Sequence, residues 1–358
     1  MRNKKIYLAL PILALLLLVP RMVPFAYGSG TMVEQGPVEL EAAEASVGTS
    51  QDMSIFTEGV AHGFDQPDHL YSEPAPAVPN DDYFDKQWAL TKIQALDAWQ
   101  VSSGSQDILI AVLDTGIDRT HIDLAGKVIV EINFTQSPTV DDVYGHGTHI
   151  AGIIGAVANN SRGIAGLAYD CSLMNVKVAS DFGFCDAETV AEGIVWAVDN
   201  GAKVINLSLT LSKPDQALED AVNYAWSKGA ILICAAGNVG GSNPVYPAYY
   251  ANCLTVTSTN SDDLPGKLAT NGDWVDVAAP GVNIYSTLPD NGYGYKSGTS
   301  MAAAYVSGLA ALLFSVAPDA NGNGLLNDEV RYVIESSCDE IGILDVSKGR
   351  INALGAMQ

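Results

Sequence analysis

Four side chains stand at points where the chain should reverse direction, and together they could perform acyl transfer. Asp114 directly follows the apolar run Ile108 to Leu113, and Gly116 permits a sharp turn there. His146 lies in Gly145-His-Gly-Thr-His-Ile-Ala-Gly152, where glycines precede an apolar helical stretch. Asn238 closes Ala235-Ala-Gly-Asn, after the apolar run that begins at Ala230. Ser300 sits in Ser297-Gly-Thr-Ser-Met-Ala302, ahead of an apolar helix reaching about Val316. A serine hydroxyl is a poor nucleophile until a base removes its proton. The base needs a carboxylate that holds its tautomer and stabilises the imidazolium. A tetrahedral oxyanion needs donors already aimed at it. Each residue alone is an ordinary feature: a turn acid, an exposed histidine, a turn amide, a helix cap. His149, one helical turn beyond His146, is a competing base. Together, an acid, an imidazole, an amide and an alcohol at the edges of one sheet satisfy the whole list.

The elements that must position them follow from the apolar pattern. Ile108–Leu113, Ala202–Leu209, Ala230–Ala236, Leu254–Thr257 and Trp274–Ala278 read as buried strands. Ala187–Asn200 and Gln216–Lys228 read as helices, with Gly201 and Gly229 as their stops. Apolar strands alternating with helices predict a three-layer α/β fold, a mostly parallel central sheet with helices on both faces. Reactive groups in such sheets gather at the carboxyl ends of the strands.

The 358 residues carry 18 basic and 41 acidic side chains, a formal charge of −23. This acidity disfavours nucleic acid and anionic membranes as partners. Arg2, Lys4 and Lys5 precede the apolar run Ile6 to Val19, which is short for a membrane span. Ala26-Tyr27-Gly28 offers small residues where a signal peptidase reads, so residues 1–28 are expected to be a secretory signal peptide. The alternative is an uncleaved N-terminal anchor with the rest of the chain facing outward. Residues 29–77 form an acidic leader closed by Pro74, Pro76 and Pro79, either a linker or a pro-segment removed near Ala77. Residues 78–358 then make the main domain. Five cysteines leave at least one thiol unpaired in a monomer, and no CxxC pair suggests zinc.

Asp114-Thr-Gly-Ile-Asp118, His146-Gly-Thr-His-Ile-Ala-Gly152 and Gly298-Thr-Ser-Met-Ala302 resemble, in that order, the three signature segments of the subtilase family. The resemblance runs from about Tyr83 to about Ala356 and is closest to the thermitase branch, as in Asp123-Leu-Ala-Gly-Lys-Val128 and Trp274-Val-Asp-Val-Ala-Ala-Pro-Gly281. It implies a serine endopeptidase acting on peptide or protein substrates, which the signal-like N-terminus makes a secreted one; a monomer is expected. Ser300 would be the nucleophile, His146 the base and Asp114 its orienting acid. Asn238 and the Ser300 backbone N–H would form the oxyanion hole. Substrate would lie extended between Phe182, Gly183 and Phe184 on one side and Ser208, Leu209 and Thr210 on the other.

The resemblance also implies a structural calcium ion held by Asp81, Asp123, Asn160 and the carbonyls of Val157, Arg162 and Ile164, all hard oxygen donors. A second, weaker site is degraded, because Asn133 replaces an aspartate. Asp319-Ala-Asn-Gly-Asn-Gly324 resembles half of an EF-hand loop, but Glu329 falls one position early, so it reads as a turn before a helix start at Asn327. The chain departs from the family at two points near the site. Ala303-Ala304-Tyr305-Val306 replaces Thr-Pro-His-Val, which removes a proline from the nucleophile's helix and opens the alternative of a peptide ligase or cyclase. Thr210 and Leu211 replace a pair of glycines, which narrows the pocket for the first substrate side chain. The remaining alternative is a non-catalytic, peptide-binding relative.

Overall fold

The computed structural model describes residues 78–342 and 346–358. The expected signal peptide (1–28) and leader (29–77) lie outside the described residues. In chain order the elements are α1 (Trp88–Lys92), α2 (Ala95–Ala98), β1 (Leu109–Asp114), β2 (Val128–Asn133), α3 (Gly147–Gly155), β3 (Ser172–Lys177), α4 (Ala187–Asp199), β4 (Val204–Leu207), α5 (Gln216–Ser227), β5 (Ile231–Ala235), β6 (Cys253–Thr259), β7 (Val277–Pro280), β8 (Ile284–Leu288), β9 (Gly292–Lys296), α6 (Thr299–Phe314), α7 (Asn327–Ser336) and α8 (Ala353–Met357).

Seven strands form one sheet in the order β2-β3-β1-β4-β5-β6-β7, and β8-β9 make a separate antiparallel hairpin. Every pairing in the large sheet is parallel. The two-residue period of β1 divides its side chains between two cores. Ile110 and Val112 join the face carrying Ile150 of α3 and Val306 and Leu309 of α6. Ala111 and Leu113 join the face carrying Ile194 of α4 and Val222 of α5. The expected three-layer fold is what forms. All sixteen residues of α6 are buried, which explains why its sequence is apolar all round. The outer helices are capped by acids: Thr189 N–H donates to Asp186 at 2.9 Å and Leu218 N–H to Asp215 at 3.0 Å.

Three elements differ from the sequence pattern. β3 is fully buried although it contains Ser172, Asn175 and Lys177, so polar residues hide a central strand. β2 was not expected either, being an edge strand of intermediate exposure. The last parallel strand begins at Val277 rather than Trp274, because Val275 N–H closes a turn onto Gly272 and the Trp274 indole donates to Ser242 O at 2.9 Å. All five cysteines are free.

Candidate active site

The carboxyl edge of the sheet brings Asp114 and His146 into hydrogen-bond contact, while the Ser300 hydroxyl pairs with Ser208 and, among the described residues, makes no hydrogen bond to His146. Asp114 ends β1 and is 3% exposed. His146 immediately precedes α3, which approaches the end of β1 so closely that a side chain on Gly147 would collide with Gly116 O. Glycine at 147 therefore lets the imidazole reach the acid. His146 Nδ1 lies 2.8 and 2.9 Å from the two Asp114 oxygens. This pairing fixes the tautomer with the proton on Nδ1 and leaves Nε2 as the acceptor. Burial acts to lower the His146 pKa, but the Asp114 charge and hydrogen bond outweigh it and raise the pKa above 6.5.

His149 is excluded as the base. It is fully buried, its Nε2 donates to Gly294 O at 3.1 Å, and burial drives its pKa to about 3.

Ser300 occupies the first turn of α6 and is 7% exposed. Its hydroxyl donates to Ser208 O at 3.3 Å, while Ser208 Oγ donates to Ser300 O at 3.1 Å. Ser208, Asp114 and His146 line one cavity, and Ser208 is the residue that links it to Ser300 at the start of α6. Asn238, exposed just beyond β5, is tied to the same loop. Thr299 N–H donates to Asn238 Oδ1 at 2.9 Å, and Gly237 N–H donates to Thr299 Oγ1 at 3.0 Å. With Oδ1 engaged, Nδ2 is the end of the amide left to donate. Ala304 lies in an unbroken helix and Tyr305 is buried within it, so the missing proline leaves no irregularity in this turn.

Of the expected substrate-contact residues, Gly183, Ser208, Leu209 and Thr210 line the cavity. Phe182 and Phe184 are 75% and 59% exposed and stand outside its wall. Thr210 Cγ2 lies 3.7 Å from where a side chain on Gly237 would begin, so it occupies the strip that glycines would leave open.

Sequence reading missed the residues that hold this geometry. Asp142 is buried and accepts from Thr115 Oγ1 at 2.8 Å, Gly145 N–H at 2.7 Å and Thr148 N–H at 2.8 Å. Thr115 Oγ1 in turn accepts from Gly147 N–H at 3.0 Å. Asp142 thus caps α3 and clamps the loop carrying His146 onto the loop carrying Asp114. Lys177, fully buried at the end of β3, donates to Thr115 O and Asp141 O and pairs with Asp181 at 2.8 Å. The one available signal was an acid four residues before His146.

Of the expected calcium ligands, Asp81, Asp123 and Asn160 share one hydrogen-bonded cluster. Asp81 and Asp123 are 6% and 0% exposed, and neither pairs with a cation among the described residues. Asp81 accepts from Asn159 and Asn160 N–H at 2.9 and 3.1 Å. Asp123 accepts from Asn160 Nδ2, Ile164 N–H and Tyr293 OH at 2.8–2.9 Å. Burial pushes the Asp81 carboxyl pKa up, and the Asp123 charge adds to that shift against the opposing backbone N–H groups. Two buried, mutually repelling carboxylates suit a hard divalent cation, but here Asn160 turns Nδ2 to Asp123 and its Oδ1 accepts from Arg162 N–H at 2.8 Å, so the amide would have to turn over to serve as a ligand. Among the described residues there is no group of three or more His, Cys, Asp or Glu placed to hold a metal, so carbonyl and amide oxygens would complete any shell. At the expected second position, Asn133 Nδ2 instead donates to Ser137 O and Thr139 O at 2.9 and 3.2 Å. The Asp319 loop is a turn, with Asp319 accepting from Gly322 and Gly324 N–H, and α7 starts at Asn327 as expected.

A parallel sheet that delivers an acid, a histidine, an amide and a helix-initial serine to one edge defines a class, the α/β serine peptidases. The subtilase-family profile matches residues 105–350. Thermitase from Thermoactinomyces vulgaris is 45% identical over 285 residues, covering 78% of this chain and 99% of that protein. A thermophilic serine proteinase from Bacillus sp. strain AK1 is 42% identical over 296 residues, covering 82% and 72% of the two chains. A protease structure from Pseudoalteromonas arctica PAMC 21717 matches with a TM-score of 0.71 at 28% identity, covering 78% of this chain and 99% of that one. The chain belongs to the subtilase family and is a serine-type endopeptidase.

Proposed function

We propose that Asp114, His146 and Ser300 act as one catalytic triad in a secreted endopeptidase. The observation that carries this is the His146 Nδ1 contact with both Asp114 oxygens, at 2.8 and 2.9 Å, in the cavity that Ser208 shares. For this the Ser300 hydroxyl must leave Ser208 O, its partner at 3.3 Å, and turn to His146 Nε2. Ser300 Oγ then bonds to the scissile carbonyl carbon while its proton passes to Nε2. The oxyanion is received by Asn238 Nδ2 and the Ser300 N–H, at the positive end of α6. Collapse breaks the C–N bond as His146 returns its proton to the departing amine. Water repeats the sequence to release the acid and regenerate Ser300.

Incubating the purified protein with a denatured protein, with and without a serine-directed inhibitor, tests this. Product mass spectrometry is expected to find internal cleavages that the inhibitor abolishes. Absent or inhibitor-insensitive cleavage contradicts the reading. Neutral His146 is the active form, so kcat/KM should rise with pH through its raised pKa. The midpoint of the acid limb is expected above pH 6.5. A limb centred below that value would show that the Asp114 interaction does not reach the working enzyme.

The cluster of Asp81, Asp123 and Asn160 is proposed to hold structural calcium with the Val157, Arg162 and Ile164 carbonyls. Calcium bound there would neutralise the two buried acids and tie Asp81 to the loop 157–164. A chelator is therefore expected to lower Tm by several degrees through loss of native-state binding. An unchanged Tm removes the claim. Export follows from the signal-like residues 1–28. Mass spectrometry of the mature N-terminus in culture medium tests it, with a start at Ser29 or later expected.

A further inference from the structure

We infer that Asp142 is a positioning residue for the proposed triad, a remote carboxylate that holds the His146 loop against the end of β1 and lends its negative charge to the imidazole when that ring carries a second proton. This rests on the serine-peptidase reading of the same site.

The backbone on both sides of His146 is tied to this one side chain. Gly145 N–H donates to Asp142 Oδ1 at 2.7 Å, and Thr148 N–H donates to Asp142 Oδ2 at 2.8 Å. Gly147 N–H donates to Thr115 Oγ1 at 3.0 Å, and that hydroxyl donates to Asp142 Oδ1 at 2.8 Å. Thr115 also reaches the other member of the pair, because its N–H donates to Asp114 Oδ1 at 2.7 Å. The oxygen it meets is one of the two that face His146 Nδ1. Asp142 and Thr115 therefore set where the imidazole stands relative to its acid.

The charge has nowhere else to act. Asp142 is 4% exposed and pairs with no cation among the described residues. Its donors are neutral, and burial leaves little water to screen it. At His146, burial lowers the pKa, Asp114 raises it, and Asp142 adds to the rise. Lys296, at the end of β9, opposes the two acids. The other ionisable groups nearby contribute little charge. Burial drives the His149 pKa to about 3 and the Cys185 thiol pKa to about 11, so both are neutral. Lys177 is engaged by Asp181 at 2.8 Å. When Ser300 passes its proton to Nε2, the ring becomes positive, and a fixed negative charge stabilises that state more than the neutral one before it.

Asp142→Asn keeps the size of the side chain and removes its charge. The His146 titration, followed by NMR in the Ser300→Ala protein with and without this change, is expected to move to lower pH. In the active enzyme the acid limb of kcat/KM should move the same way, and kcat should fall about tenfold with KM changed much less. Thr115→Val cuts the link but leaves the charge, so kcat should fall by a similar factor with the acid limb in place. Thr115→Ser restores the hydroxyl and should recover most of the rate. A role in stability alone would lower Tm in these variants and leave the His146 titration unmoved. An unmoved titration in Asp142→Asn overturns the inference, and so does equal kcat in Thr115→Val and Thr115→Ser. Absence of hydrolysis by the wild type overturns the peptidase reading itself, and the inference with it.

Discussion

Ser300→Ala is expected to reduce peptide hydrolysis by about 10⁶-fold and to abolish labelling by a fluorophosphonate. That magnitude comes from a subtilisin and not from the geometry here, but the geometry explains why the loss should be so complete. In the proposed triad the Ser300 hydroxyl is the nucleophile that Asp114 and His146 activate. Without it, the imidazole has no alcohol to deprotonate, and no acyl-enzyme forms. What remains is the oxyanion hole and substrate binding, which accelerate direct attack by water only modestly. The substitution removes one oxygen from a buried position at the start of a fully buried helix. The variant should therefore fold, and retained calcium-dependent Tm would confirm that it does. Hydrolysis by Ser300→Ala at more than about one-thousandth of the wild-type rate would reject the nucleophile.

Asp114→Asn should lower kcat by about 10⁴-fold while leaving the cleft almost intact. Asparagine is nearly isosteric, so the loss is one of charge and tautomer. An amide facing His146 Nδ1 can present its own N–H, which places the imidazole proton on Nε2, where it cannot accept from Ser300. The positive shift of the His146 pKa would also vanish, because the Asp114 charge and hydrogen bond are what overcome burial. A stopped assay should thus show a large fall in kcat with KM changed much less. A variant within tenfold of wild type would mean that Asp114 does not orient the base.

The sequence made some elements of the scaffold legible and hid others. β1 was legible because five buried apolar residues run directly up to Asp114. The capped helices α4 and α5 were legible because glycines mark their ends. β3 was not, since Ser172, Asn175 and Lys177 interrupt its apolar run; the Ser172 hydroxyl, Asn175 Nδ2 and Lys177 Nζ find acceptors that only the folded chain supplies. The clamp formed by Thr115, Asp142 and Lys177 was illegible for the same reason: residues 115, 142 and 177 come from three separate loops and strands. Trp274 looked like a strand residue because it is large and apolar, yet its indole is spent on Ser242 O and its ring on Tyr249.

These points meet in a single requirement, that Ser300 be uniquely reactive and only when His146 is neutral. The most direct measurement is the rate and site of fluorophosphonate attachment to the wild-type protein across pH, with the adduct located by peptide mass spectrometry. One adduct is expected, on Ser300, forming faster as pH rises through the raised His146 pKa. An adduct on another residue, or a Ser300 adduct whose rate ignores pH, would contradict the proposed triad.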